Sequence, residues 1–268
     1  IYKNDKIISI GVHQKKGTDH AEQIAIKAAK SKAKGANIMI TLEPCTHTGS
    51  TPPCVDAIIK AGIKKVVFAS FDPFSKVVQN PAKKILSDNN IEVQSGLFDS
   101  EAQSLNHDYF YSHKNKRPWV HLKAAMSLDG KIALHNKKSK YLTGQKSLQK
   151  VHEIRSKVAA IVIGANTLIY DNPSLTIRFD FFKKNNIEPY IFVIGTHFDT
   201  KKKFKIFNSE YKTILVSSDK NLSEKNTFFT EVWNQDLKNN EFDWDTFLNR
   251  CYQNDLFSVL LEGGARIF

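Results

Sequence analysis

Two runs of strand-like and helix-like segments, split by a single polar break, narrow what this chain can fold into. In the first run, strand-like segments at about 6–12, 37–42, 64–70 and 91–95 alternate with helical stretches at about 20–33, 54–61 and 81–88. Such alternation favours an α/β layered sandwich. The polar stretch SHKNKRP, residues 112–118, then interrupts the pattern, ends in Pro and is the best linker candidate. Beyond it the pattern restarts. WVHLKAAMSLDGKIA reads as a strand running into a turn at Asp129-Gly130, followed by a helix at about 144–157 and the buried-looking strand AAIVIG. Further strands near 189–194, 211–216 and 257–262 complete a second α/β unit. The division expected is therefore 1–113 and 118–268, with no internal repeat between the halves.

A length of 268 residues is comfortable for two cores. IYKNDKIISIGVH reads as the second half of a β-hairpin with Asn4-Asp5 at its turn, and FSVLLEGGARIF stops where a strand, a Gly pair and a new helix should continue. The expectation is a fragment lacking elements at both ends. No apolar run approaches the roughly 20 residues that span a bilayer, and no signal-peptide pattern opens the chain, so the cytoplasm is the expected compartment. The net charge of +12 raises the question of a nucleic-acid partner. The basic residues are nearly all Lys spread along the chain, with Arg only at 117, 155, 178, 250 and 266, and no basic stripe carries interleaved aromatics. A compositional bias is the simpler reading.

Cysteine usage is more informative. TLEPCTHTGSTPPC, residues 41–54, holds two of the three cysteines. In a reducing compartment a structural disulfide is disfavoured, and a metal site completed by a distant His is the competing reading. Catalytic zinc takes three protein ligands and leaves one position open, with thiolate and neutral imidazole as favoured donors. His20, Cys45 and Cys54 form such a set, and Glu22, two residues after the His, is the carboxylate that proton shuttling would require. H-x-E followed by P-C and a second Cys is the zinc-deaminase signature, here with eight residues between the cysteines instead of two. Each member has an ordinary alternative. Asp19 to Glu22 could be a helix capping box, Cys54 could be a thiol packed at a helix start, and His20 a surface residue. Their combination favours metal.

In the second half no G-x-G-x-x-G follows a strand, so a Rossmann dinucleotide site is unsupported. LLEGGARIF instead places Gly263 and Gly264 between a strand and a helix start, where free N–H groups suit a phosphate. YDNPSLTIR gathers Asp171, Leu175, Thr176 and Arg178 after an apolar strand, though by itself it could be a turn. Lys123 sits on an otherwise apolar strand, and Arg155 and Arg178 offer bidentate forks in a Lys-dominated chain.

HAE…EPCTHTGSTPPC followed by FDPFSKV resembles the deaminase half of the bifunctional riboflavin-biosynthesis deaminase/reductase family. HLKAAMSLDGKIA, TGQ, DNPSLTIR and LLEGG resemble its reductase half, in the right order. The resemblance implies a cytidine-deaminase-like α/β/α sandwich followed by a dihydrofolate-reductase-like α/β domain. It implies zinc-dependent deamination of a diaminopyrimidinone ribosyl phosphate, then NADPH reduction of the ribosyl group to ribityl. Carried over by position, His20, Cys45 and Cys54 hold zinc and Glu22 is the general acid/base, with His13 and His47 as substrate contacts. In the reductase half, Asp171 and Lys123 are the catalytic expectations. Ser139, Arg155, Leu175, Arg178 and Glu262 are expected on the substrate, and Ala125, Tyr141, Thr167, Asp171, Thr196, Gly263 and Gly264 on NADPH. Ser50 stands where the family commonly has Lys or Arg before TPPC, leaving Lys15 or Lys16 to compensate for the phosphate. Tyr141 replaces a frequent Trp, and Gly195 a common acidic residue. The partner expected is a small phosphorylated pyrimidine, in a homo-oligomer, with neither membrane nor nucleic acid involved. The competing readings are a nucleobase or tRNA deaminase with an unrelated tail, and a zinc-stabilised RNA-binding module.

Overall fold

A computed structural model describes residues 1–15, 17–132, 142–183, 188–195, 202–222, 228–264 and 267. The chain divides into two compact units, Ile1–Lys114 and Asn115–Phe268.

The first unit opens with the hairpin β1 (Tyr2–Lys3) and β2 (Lys6–Ile7). Its two turn residues, Asn4 and Asp5, have φ of 48° and 58°, the left-handed pair that a two-residue hairpin demands and that Asn and Asp tolerate. The strand expected over 6–12 pairs only at Lys6–Ile7, because the chain then turns in towards α1 (Ala21–Ala29). Gly11 sits so close to that helix that a Cβ would lie 1.9 Å from the Ala21 carbonyl oxygen. There follow β3 (Asn37–Leu42), α2 (Cys54–Lys60), β4 (Lys65–Ser70), α3 (Ser75–Gln79), α4 (Ala82–Asp88), β5 (Glu92–Ser95), α5 (Asp99–Leu105) and α6 (His107–Asn115). The sheet order is β2-β1-β3-β4-β5, antiparallel at the hairpin and parallel from β3 to β5. Ile38, Val66 and Phe68 pack with Ala25, Ala29, Val55, Ile58 and Leu86 from three helices.

The expected linker over 112–118 is corrected in part. Residues 112–115 form the last turn of α6, where Ser112 and His113 are buried. Polar composition hides this helix because its packing face is aromatic, with His113 edge-on to Tyr109 at 4.4 Å and to Phe74 at 5.5 Å.

The second unit contains β6 (Trp119–Leu122), α7 (Gln145–Arg155), β7 (Ala160–Gly164), α8 (Ala165–Asp171), α9 (Asp180–Lys183), β8 (Tyr190–Ile194), β9 (Thr213–Ser217), β10 (Glu231–Asn234), the hairpin β11 (Leu237–Lys238) and β12 (Glu241–Phe242), α10 (Trp244–Gln253) and β13 (Ser258–Leu261). Six strands form a wholly parallel sheet in the order β10-β9-β8-β7-β13-β6. Successive strand residues face opposite ways, so Ile161 and Ile163 join Leu168 on one face while Ala160 and Val162 join Phe247 and Leu248 on the other. Burial on both faces is why these strands read as unbroken apolar runs. The sequence pattern does not single out β10 or α10. Asp243 caps the latter by accepting the Thr246 N–H at 3.1 Å.

Candidate functional site

Both units gather their polar chemistry at the carboxyl ends of parallel strands, where crossover loops leave a crevice. In the first, β3 delivers Cys45, the start of α2 delivers Cys54, and His20 occupies the position before α1. The His20 Nδ1 lies 3.5 Å from Cys45 Sγ and 3.3 Å from Cys54 Sγ. All three ligand atoms fall within 4.8 Å of one another. A tetrahedral zinc with Zn–S of about 2.3 Å and Zn–N of about 2.05 Å places sulfur and nitrogen about 3.5 Å apart, so the set fits that ion.

The capping-box alternative for Asp19 to Glu22 does not hold, since no side chain caps α1. Glu22 is buried instead, with its carboxylate in hydrogen-bonding reach of the Cys54 thiol. The hydrogen bond from Cys54 pulls the Cys45 thiol down to about 6 against the effect of burial, with help from the Cys54 backbone N–H and His20. Cys54 is pushed up by the same bond, by burial and by the charge of Glu22.

Three supporting residues escaped the sequence reading. Thr51 Oγ1 lies 3.5 Å from His20 Nε2 and orients the ring from its far side. Gln23 donates to the Pro52 carbonyl at 2.9 Å, tying α1 to the cysteine loop. Glu43 is buried beside Cys45 and accepts the Ala82 N–H at 2.8 Å and the Asp72 N–H at 3.3 Å. Burial raises its pKa, and those N–H bonds oppose the rise. His13 is exposed and stands edge-on to His20 at 5.3 Å. His47 packs against Phe74 at 5.1 Å, and its Nδ1 is buried without a hydrogen-bond partner, as is Thr46 Oγ1. Ser50 and Lys15 are exposed, and Lys16 lies outside the described residues.

In the second unit, register does the assembling. Leu261 pairs with Leu122 and Val162, so Glu262 and Lys123 emerge side by side from neighbouring strand ends. Glu262 is buried and receives Arg155 Nε at 2.6 Å, Arg155 Nη2 at 2.8 Å and Lys123 Nζ at 3.3 Å. Burial pushes this carboxyl up, but the hydrogen bonds and charges of Arg155 and Lys123 outweigh it and hold the group below its ordinary value. The Arg155 fork is turned inward on Glu262 and, through Nη1, on the Thr176 carbonyl at 3.4 Å. Arg178 is exposed.

Asp171 is the last residue of α8 and faces solvent. Desolvation by the surrounding protein raises its pKa, and the nearby Lys123 ammonium works against the rise. Leu175 is buried in the core with a left-handed φ of 54°. Ala125 is half-buried on the extended chain after β6. The Gly264 N–H donates to Thr167 Oγ1 at 3.2 Å, and a Cβ on Gly263 would come within 2.8 Å of Ile267. A side chain is thus excluded at Gly263, and Gly264 is exposed, though its N–H is bonded to Thr167 rather than free as expected. Gly195 is explained by packing, because a Cβ there would lie 2.4 Å from the Ala165 Cβ. Ser139, Tyr141 and Thr196 lie outside the described residues.

Comparison with known proteins assigns both halves. Residues 1–70 match the cytidine and deoxycytidylate deaminase zinc-binding region, and residues 118–268 match the RibD C-terminal domain. The riboflavin biosynthesis protein RibD of Aquifex aeolicus is 36% identical over 266 residues, covering 99% of this chain and 73% of its own length. The chain belongs to the RibD family. Its members are bifunctional, and this chain is a deaminase and reductase of riboflavin biosynthesis with zinc and NADPH as cofactors. Solved RibD-family structures agree. A diaminohydroxyphosphoribosylaminopyrimidine deaminase/5-amino-6-(5-phosphoribosylamino)uracil reductase from Thermotoga maritima superposes with a TM-score of 0.84 at 33% identity, over 99% of this chain and 73% of that one. Acinetobacter baumannii RibD gives 0.86 at 30% identity with the same coverage. The fold is cytidine-deaminase-like in the first unit and dihydrofolate-reductase-like in the second. No described helix is long and apolar enough to cross a membrane.

Proposed function

We propose that residues 1–113 hydrolyse the amino group of a diaminopyrimidinone ribosyl phosphate and that residues 118–268 reduce the resulting 5-amino-6-(5-phosphoribosylamino)uracil. The observation that carries the first step is the convergence of His20 Nδ1 on two sulfurs at 3.5 and 3.3 Å beside the buried Glu22. Zinc, held by His20, Cys45 and Cys54, supplies the Lewis acidity that makes water a competent nucleophile near neutral pH. Glu22 would carry one proton of the attacking water to the ring nitrogen and the second, from the hydroxyl so formed, to the departing amine, so that ammonia leaves and a carbonyl remains. His47, whose buried Nδ1 has no partner in the fold, and His13 hold the pyrimidine.

For the second step, bound NADPH would supply the hydride equivalent that, with one proton, reduces the ribosyl group to ribityl. Lys123, fixed by Glu262, polarises the opened ribose, and Asp171 delivers the accompanying proton. Gly263, Gly264, Thr167, Ala125, Tyr141 and Thr196 hold the cofactor. Arg178 and Ser139 hold the substrate, with Leu175, Arg155 and Glu262 shaping the pocket from within. The chain works as a homo-oligomer in the cytoplasm. The test is to supply the full-length protein with the diaminopyrimidine and NADPH and to follow ammonia and NADPH separately. Ammonia should appear without NADPH, and NADPH should be consumed only after deamination. NADPH consumption at full rate with Glu22→Gln and the diaminopyrimidine as sole substrate would overturn the order of steps.

A further inference from the structure

His152 has no place in the reading above, yet it is buried on the face of α7 that also carries Arg155. Its Nδ1 accepts the Arg178 backbone N–H at 3.3 Å. An accepting Nδ1 carries no proton, so the neutral ring bears its proton on Nε2. Burial, and then the charges of Arg155 and Arg178, lower its pKa to about 4, which keeps the ring neutral at working pH. The Phe179 ring stands edge-on to it at 5.1 Å.

The loop needs such support. Leu175 adopts φ of 54° and Asn172 φ of 42°, and a left-handed Leu is strained and persists only where its surroundings over-determine it. Further restraints come from Arg155 on the Thr176 carbonyl, the Tyr211 hydroxyl on the Ile177 N–H at 3.4 Å and Asn172 Oδ1 on the Lys205 N–H at 2.8 Å. Among these restraints His152 is the one that holds the backbone of Arg178 itself, the place that aims that side chain.

We infer that His152 is a positioning residue of the reductase, whose imidazole holds the backbone N–H of Arg178 and thereby presents Arg178 to the phosphorylated substrate. This rests on the proposed contact between Arg178 and substrate.

The test compares full-length His152→Leu, His152→Asn and Arg178→Ala, with 5-amino-6-(5-phosphoribosylamino)uracil and NADPH varied separately. His152→Leu removes that bond and should raise the KM for the uracil about tenfold, with the KM for NADPH and the deaminase rate within about twofold of wild type. His152→Asn keeps an acceptor near the Nδ1 position and should recover most of that loss. Arg178→Ala should raise the same KM at least as far. An unchanged uracil KM in a folded His152→Leu, or a rise no greater than that for NADPH, overturns the inference. Should His152→Leu fail to fold, wild-type uracil KM in His152→Asn together with fast hydrogen exchange at the Arg178 amide overturns it. A wild-type KM in Arg178→Ala sinks the underlying contact instead, so the two failures are distinguishable.

Discussion

The two sites are assembled on opposite plans. The three candidate metal ligands of the first come from a stretch in which His20 and Cys54 are 34 positions apart, and two helix starts and one strand end bring them together. The ion-paired cluster of the second joins Lys123 to Glu262 across 139 positions, and only the insertion of β13 between β6 and β7 makes them neighbours. The first depends on soft donors whose chemistry is restrictive wherever they occur. The second depends on common charged residues that acquire meaning from burial. A buried Glu262 paired with two cations is stable only while all three remain, since removing one member leaves an uncompensated charge.

The strongest challenge to this contrast is to remove one site and read the other. Cys54→Ala deletes a fully buried sulfur and should abolish zinc binding, lowering ammonia release by about four orders of magnitude. Reduction of supplied uracil substrate should stay within about twofold, and a parallel loss of reductase activity would show that the sites are not separable. Glu22→Gln comes next. It should keep one zinc by metal analysis while deamination falls about 10²- to 10⁴-fold, and wild-type ammonia release would remove Glu22 from its role.

Glu262→Ala sharpens the other side of the comparison. Stranding Arg155 and Lys123 should destabilise the second unit by about 3–5 kcal/mol, seen as an early urea transition, while zinc content is unchanged. A single unshifted transition would mean the pairs contribute nothing.

The smallest effect is pH dependence. His152 has a folded pKa near 4 against an ordinary value of 6.5, so as pH falls through that window the unfolded chain takes up a proton that the fold refuses. Glu262, also held below its ordinary value, adds stability that is present above the unfolded carboxylate range and lost as pH falls through its folded pKa. Stability of the second unit should therefore decline as pH falls below about 6.5, and His152→Asn should flatten the part above the carboxylate range. An unaltered slope in that variant would remove His152 as the cause.

How legible each site was in the sequence follows from the same difference. His20, Glu22, Cys45 and Cys54 were singled out from residue type and spacing taken together, since each alone has an ordinary alternative, and the fold brings the His20, Cys45 and Cys54 ligand atoms within 4.8 Å of one another. Thr51, Gln23 and Glu43 were not legible, since a hydroxyl, an amide or a carboxylate in a loop carries no sign of what it will face. The Gly263-Gly264 turn was visible as a pattern, yet its partner Thr167 on α8 was placed only by resemblance until the packing showed the hydrogen bond. The last turn of α6 was read as linker, although the units do divide within 112–118, because its buried side is built from His and Tyr, which hydropathy counts as polar.

What the amino-acid order determined alone was the alternation of elements, the break between two units and the zinc-binding chemistry, all of which depend on local periodicity or on donor type. Only the tertiary structure decided that Arg155 turns inward on Glu262, that His152 grips the loop bearing Arg178, and that Gly195 has no room for a side chain. Those outcomes depend on which strands become neighbours and on what is desolvated there, and neither quantity is a property of any short stretch of chain.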